Sequence, residues 1–284
     1  MSSIIIKIDT SKYRTPTTAD IDAAKAFVVS RNDYARTLEE RIDEVLKEAE
    51  ERIITICYKY NVVPTEFEIS SDYNEQLMAE IAAVMDEIEE DILGLIEEYA
   101  IRVTNDRDRA KTLLAWMLLL GRNNRNLRQT LDGYLYKFMK DVEAAVAAMK
   151  YANLNLATAV TRAKTYLHTI YIMPEIQEAF KTASTFTATY IRSRGVAKGG
   201  VGLSNNGSTN VTNLAKTTLQ MVWMRSRAMD YQEQGAAGIY VLRGSNYPCE
   251  LCDDAVGFYP VADAYGILPI HPHCCCYAIP IFEK

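Results

Sequence analysis

Five of the six cysteines and two of the three histidines fall between Pro248 and the C-terminal residue Lys284. They form two clusters, Pro248-Cys249-Glu250-Leu251-Cys252 and His271-Pro272-His273-Cys274-Cys275-Cys276. Thiolates and imidazoles so spaced are what a zinc ion requires: about four nitrogen or sulfur donors in a tetrahedron, brought by two chelating pairs on separate turns. Cys249 and Cys252 have the C-x2-C spacing that turns both sulfurs toward one ion. The second pair comes from His271, Cys274 and Cys276, with His273 and Cys275 as substitutes. His271 with Cys274 makes an H-x2-C pair and Cys274 with Cys276 a C-x-C pair; either closes the site, and the sequence does not choose. In an extended stretch Cys274 and Cys276 face one way and Cys275 the other, which sets Cys275 outside the ligand set.

Three kinds of chemistry compete for this knot. A structural Zn2+ site has the correct donor count and suits a segment too small to build its own core. A disulfide pair formed outside a reducing compartment is the second. A catalytic metal is the third, and it would need an open coordination position and a general base. Glu250 and Asp253 are near in sequence, but no His-x-Glu element of the deaminase kind is present. A Cys nucleophile paired with His271 or His273 lacks a third, orienting group. Ser2 to Ile8 is too short for a signal peptide, and the longest apolar run, Leu113 to Leu120, is well short of the ~20 residues of a membrane span. The expectation is therefore no membrane, synthesis in a cytoplasm and reduced cysteines, which favours metal over disulfide.

The elements that must carry the knot read as mostly helical. From Thr18, with Asp20 and Asp22 in a first turn where the helix dipole favours anions, apolar residues recur at Phe27, Tyr34, Leu38, Ile42, Leu46, Ala49, Ile53 and Cys57. This helix has room for a break and stops at Asn61 and Pro64; Cys57 on its stripe reads as a buried small hydrophobe. Asp72–Val103 reads as a second helix with Glu87, Glu89, Glu90 and Asp91 mostly on its outer face. Arg107–Leu120 is a third, closed by Gly121, and Asn126–Lys150 a fourth with Leu131, Leu135, Phe138, Val142 and Val146 inward. Leu154–Ile172 is a fifth, with His168 as a partly exposed aromatic near its end. Pro174–Ala183 is a sixth, with proline in its first turn. Ser3 to Asp9 reads as a short strand or extended arm.

Arg192 to Asn210 holds five of the 13 glycines and reads as a flexible loop. The expected division is a helical body over 1–191, the loop over 192–210 and a small C-terminal domain over 211–284. In that domain Thr212–Gln234 reads as a helix with Leu214, Thr218, Met221, Val222, Arg225 and Met229 at recurring positions, closed by Gly235. Strands follow at Ala237–Leu242, Gly257–Val261 and Tyr277–Ile281, the last at a sheet edge because of Pro280. The fold class is mainly α with a small α+β C-terminal domain: a long-helix bundle, then a helix and short antiparallel strands clasped by the Cys/His knot.

The net charge of −6 conceals a segregation. Leu38 to Ala100 carries 19 acidic and 4 basic residues, a balance of −15; Ile101 to Asp230 carries 19 basic and 8 acidic, a balance of +11. Such a split marks either a nucleic-acid face or two stretches that neutralise each other on packing. The second is preferred, because no compact Arg/Lys cluster with interleaved aromatics stands out. Eighteen tyrosines against seven phenylalanines point to half-exposed aromatic surfaces of the kind found between subunits, a homo-oligomer included.

A helix leading to a Gly-rich strand entry, C-x2-C, a Gly-containing strand and a closing Leu-Pro-x-His-Pro-x-Cys-x-Cys resembles the Mu F-type head-morphogenesis family of tailed bacteriophages. The residues that carry the resemblance are Gly235 to Tyr240, Cys249, Cys252, Gly257, Leu268, Pro269, His271, Pro272, Cys274 and Cys276, within Thr212 to Ile281. Cys275 departs from the family pattern, where a basic residue is usual. The resemblance implies a structural minor head (minor capsid) protein, made in the host bacterial cytoplasm and residing in the virion, in the head interior or near the portal. Its partners would be portal and capsid proteins, with packaged double-stranded DNA as a further contact. It implies no enzyme: toxin or ADP-ribosyltransferase domains in this family usually follow the knot, and few residues follow Cys276. The alternatives are a phage-encoded enzyme or toxin with its site in the helical body, where candidate groups are sparse, and a zinc-bearing DNA-binding protein. Against the latter, Tyr231 to Lys284 carries two basic and six acidic residues.

Overall fold

Apolar residues three and four apart make α1 (Thr18–Lys59) one unbroken helix in the computed structural model of the chain, which describes residues 8–60, 75–119, 125–163, 207–244, 247–271 and 274–284. The break allowed by the sequence is not there. Thr17 and Asp20 start the helix reciprocally: the Thr17 amide donates to the Asp20 carboxylate at 2.7 Å, and the Asp20 amide to the Thr17 hydroxyl at 3.3 Å. Further helices are α2 (Glu75–Thr104), α3 (Arg107–Leu119), α4 (Leu127–Tyr151), α5 (Leu156–Ala163) and α6 (Gly207–Glu233). The chain is mostly helical, as expected. The arm up to residue 7, the continuation of the fifth helix with His168, the sixth helix and residues 192–206 of the Gly-rich stretch lie outside the described residues. The end of that stretch is not loop, because α6 begins at Gly207. Its amide donates to the Asp141 carboxylate at 2.8 Å, and a Cβ there would overlap the Phe138 backbone, so this glycine serves close approach rather than flexibility.

The chain gathers into two compact units, one of Glu40–Leu95 with Gly121–Thr212, the other of Met1–Glu39, Ile96–Leu120 and Asn213–Lys284. The first is helical. Arg52 pairs with Glu87 and Lys59 with Glu80, both at 2.6 Å, so α1 and α2 run antiparallel there. Arg128 reaches Glu89 and Glu90 at 2.7 and 2.9 Å, which neutralises part of the acidic face from the basic stretch. Ile53, Ile54, Ile81, Ile92, Leu131 and Phe138 form its buried interior, and Cys57 is buried with them, its thiol pushed up to about 12 chiefly by burial.

The second unit holds the sheet. β1 (Gly238–Leu242) lies between β2 (Gly257–Pro260) and β3 (Tyr277–Ile281), antiparallel to both, with Tyr240 opposite Phe258 and Ile279. Ile239, Val241 and Ala278 pack on one face with Met224 and Ala228 of α6. Tyr240, Leu242, Tyr277, Ile279 and Ile281 pack on the other with Ala24 and Val28 of α1 and with Tyr13. Because β1 is covered on both faces, its residues read as one apolar run rather than an alternation. Pro280 stands on an edge strand, as expected. Tyr13 bridges to Glu283, and Arg14 donates its amide to the Phe282 carbonyl at 2.8 Å.

Of the six residues expected at recurring positions of α6, Thr218 and Val222 are buried and the other four, Leu214, Met221, Arg225 and Met229, are half-buried. Val211, Ala215, Leu219, Trp223, Met224 and Ala228 are buried as well. A helix covered on more than one side has no single stripe to read. Gly235, in the left-handed region at φ +78, closes it as expected, and the Ala236 amide reaches back to the Tyr231 carbonyl. Arg109 of α3 holds Asp230 and Glu233 of α6 at 2.5 and 3.1 Å. Among the described residues no helix is long and apolar enough to cross a membrane.

Glu50 of α1 is buried, with Oε1 lacking a hydrogen-bond partner among the described residues, and burial raises its carboxyl from 4.5 to about 9. Between those values the folded chain keeps a proton that the unfolded chain has released, so this group's contribution is intact below pH 4.5 and lost as pH rises to about 9. At pH 7 the cost is about 3 kcal/mol. Glu50→Gln, neutral throughout, is expected to be the more stable chain at neutral pH, by a margin that widens from pH 5 to 8 in denaturant titrations. A margin independent of pH would contradict the assignment.

Candidate metal centre

Two short turns and one edge strand bring the donors together. Cys249 stands at the entrance of a one-turn helix, α7 (Glu250–Asp254), where its carbonyl accepts from the Asp253 amide at 3.0 Å. That turn folds Cys252 back beside Cys249 and leaves Glu250, Leu251, Asp253 and Asp254 outward. After β2, a second short helix, α8 (Ala264–Ile267), leads to Leu268 and the His/Cys loop. There the Cys274 amide donates to the His271 carbonyl at 3.1 Å, turning the chain so that Cys274 and Cys276 enter the interior ahead of β3. Neither short helix was expected, since four or five residues carry no periodicity to read.

Neighbouring groups fix both loops. The Arg243 guanidinium, just past β1, pairs with Asp253 and donates to the carbonyls of Tyr247 and, at 3.2 Å, Cys249. Gly244 lies so close to the His/Cys loop that a Cβ would overlap the Cys275 carbonyl. Glycine is therefore required at that crossing.

His271 Nε2 lies 3.0 Å from Cys252 Sγ and 3.3 Å from Cys249 Sγ. Cys249, Cys252 and His271 form one group and Cys252, Cys274 and Cys276 another, with the donor atoms of each within 4.8 Å of one another. Cys252 belongs to both. The choice left open between His271 and Cys276 stays open, because both come into the cluster. These groups are close enough to hold a metal ion. Cys275 is half-exposed and outside the convergence, and His273 lies outside the described residues. No disulfide joins the described cysteines.

The thiols have divided their protons unequally. Cys274 is held low, at about 5, first by a hydrogen bond from the Cys276 thiol and then by backbone amides, against burial. Cys276 is pushed up by that same bond and by burial. Burial is also the main reason Cys252 rises to about 11. The Cys252 amide, facing the Cys249 sulfur, is the main influence that lowers Cys249. A sulfur cluster that already shares protons in this way offers a cation the same lone pairs. Its three innermost sulfurs, Cys252, Cys274 and Cys276, are 3%, 1% and 1% exposed and form part of the apolar core.

One neighbour of the cluster was missed. Arg31 of α1 is 1% exposed, and its Nη1 donates to the Cys276 carbonyl at 2.8 Å. The signal was available: Arg31 interrupts the apolar stripe between Phe27 and Tyr34, where an exposed cation has no reason to be. Comparison of the chain with protein-family models, with curated proteins and with solved structures yields no match.

Because Cys252 serves both groups, Cys252→Ser is expected to abolish the thiolate-to-metal absorption of Co2+ added to the purified chain, while Cys275→Ser leaves it unchanged. Metal supplied at roughly 1,000 times its dissociation constant should stabilise the wild-type chain by about 4 kcal/mol, a gain absent in Cys252→Ser. Equal gains in both chains would remove Cys252 from the site.

Proposed function

We propose that the chain is a structural minor head protein of a tailed bacteriophage, and that its C-terminal segment is clasped by a zinc ion bound within Cys249, Cys252, His271, Cys274 and Cys276. The observation that carries this reading is the convergence of both Cys/His clusters, in the order and spacing of the Mu F-type pattern, on the sheet core. Each half of the pattern has a structural task. The C-x2-C turn follows the central strand, the His-Pro-x-Cys-x-Cys segment precedes an edge strand, and three of the thiols replace aliphatic side chains in the interior.

A structural role fits the donors better than a catalytic one. A structural zinc site is closed by protein ligands, whereas a catalytic one keeps a position for water or substrate. Here the candidate donors outnumber the four that a tetrahedral ion uses. The basic stretch is also partly committed to the fold: Arg109, Lys111, Arg128 and Lys216 pair with carboxylates of their own unit. The function then lies in the surfaces that the clasped unit presents to portal and capsid proteins.

Mass spectrometry of particles assembled in a host expressing the chain with its cognate portal and capsid proteins tests the reading. The chain is expected in purified heads at low copy number and cross-linked to the portal. The Cys249→Ser/Cys252→Ser double variant should be synthesised but missing from the heads. Heads that form normally and contain none of the wild-type chain would overturn the assignment.

A further inference from the structure

Arg31 is a buried cation with no carboxylate partner among the described residues. Its guanidinium stays protonated in proteins and carries five N–H donors. One of these, on Nη1, reaches the Cys276 carbonyl, while Nε and Nη2 have no hydrogen-bond partner among the described residues. Among the described residues no carboxylate pairs with it, and its Nη1 reaches the backbone of Cys276, inside the sulfur cluster. Burying a charge without a partner is costly. The missing charge is therefore to be sought in the sulfur cluster.

Counting donors gives its sign. The cluster offers four thiols and one imidazole. Any four chosen from these five include at least three cysteines. A divalent ion with three thiolates and a neutral histidine carries a net charge of −1, and one with four thiolates carries −2. Either way the loaded centre is an anion, whether His271 or Cys276 completes it.

We propose that Arg31 is the buried counter-cation of a net-negative metal–thiolate centre, so that the bound ion fastens α1 to the C-terminal sheet. This rests on the metal-centre reading above and adds to it a charge state and a positioning residue outside the knot. A bound ion would hold further sulfurs as thiolates and so add negative charge beside the guanidinium, and the guanidinium would relieve the repulsion among thiolates gathered at low dielectric. Ala24, Phe27 and Val28, on the turns before Arg31, pack against the two faces of the same sheet, so the cation arrives on an anchored helix.

Chelator competition on the full-length chain, loaded with Zn2+ or Co2+, tests the proposal. Arg31→Met is expected to weaken metal binding by about 10- to 100-fold, the usual effect of removing a partner just outside the ligands. Arg31→Lys, which keeps the charge, should restore much of that affinity. The metal-free Arg31→Met chain should melt no lower than the metal-free wild type, because it has lost a buried charge that no described carboxylate pairs with. In the wild-type chain, Zn2+ should slow amide hydrogen exchange around Arg31 in α1. Unchanged affinity in Arg31→Met, an equal drop in melting temperature with and without metal, or α1 exchange indifferent to Zn2+ would each overturn the proposal. A wild-type chain that takes up neither Zn2+ nor Co2+ would overturn the metal-centre reading, and this one with it.

Discussion

Cys252 occupies the place where the two Cys/His loops meet. It closes the α7 turn beside Cys249, its sulfur lies 3.0 Å from His271 Nε2, and it forms the other donor group with Cys274 and Cys276. Three strands of four or five residues have little surface of their own to bury. They are held from above and below, by α6 on one face and the start of α1 on the other, and from the end by this sulfur contact. The contact joins the loop after β1 to the loop before β3, which also meet where Gly244 approaches the Cys275 carbonyl. The exposed residues of α7 and the half-exposed Cys275 inherit their positions from that buried point.

The interior location of the sulfurs has an electrostatic consequence. Charges interact more strongly where water is excluded, and desolvation of each charge is also more costly there. Protonated thiols avoid that cost, but three or four thiolates drawn together do not. Their repulsion has to be met by an ion among them and by a cation beside them. The first is what the donor geometry can accept, and the second is already in place as Arg31. The sharing of protons between Cys274 and Cys276 shows the same tendency at smaller scale, one sulfur being held low because its neighbour is held high.

Much of this was legible in the sequence because it depended on local spacing. Leu38, Ile42, Leu46, Ala49, Ile53 and Cys57 recur at helical intervals and are all nearly or fully buried. The three strands, the edge position of Pro280 and the alternation that sets Cys275 apart from Cys274 and Cys276 rest on a period of two. What was not legible depended on partners distant in sequence. The buried side of α6 is set by what covers it, and its apolar residues are spread too widely to define one face. α7 and α8 are shorter than two helical turns and announce themselves only as turn residues. Arg31 and Cys276 are 245 residues apart, and only the odd presence of a cation in an apolar stripe marks one end of that contact.

That separation also bears on why a metal would suit this position. A link between distant parts of a chain restrains the unfolded ensemble more than a link between near ones, since the closure cost grows with the logarithm of the loop length. The C-x2-C pair closes a very short loop and contributes little in this respect. Joining Cys252 to Cys274 or Cys276 closes a longer one, around β2 and α8. Bringing α1 to the sheet through Arg31 closes the longest of the three, although by packing and charge rather than by coordination. With an ion bound, the knot would act at three ranges, and its farthest effect would fall on the first helix. Tyr13 and Arg14, which meet Glu283 and Phe282, place a second tie between the same two regions. Two ties between the ends of one unit hold its orientation as well as its distance.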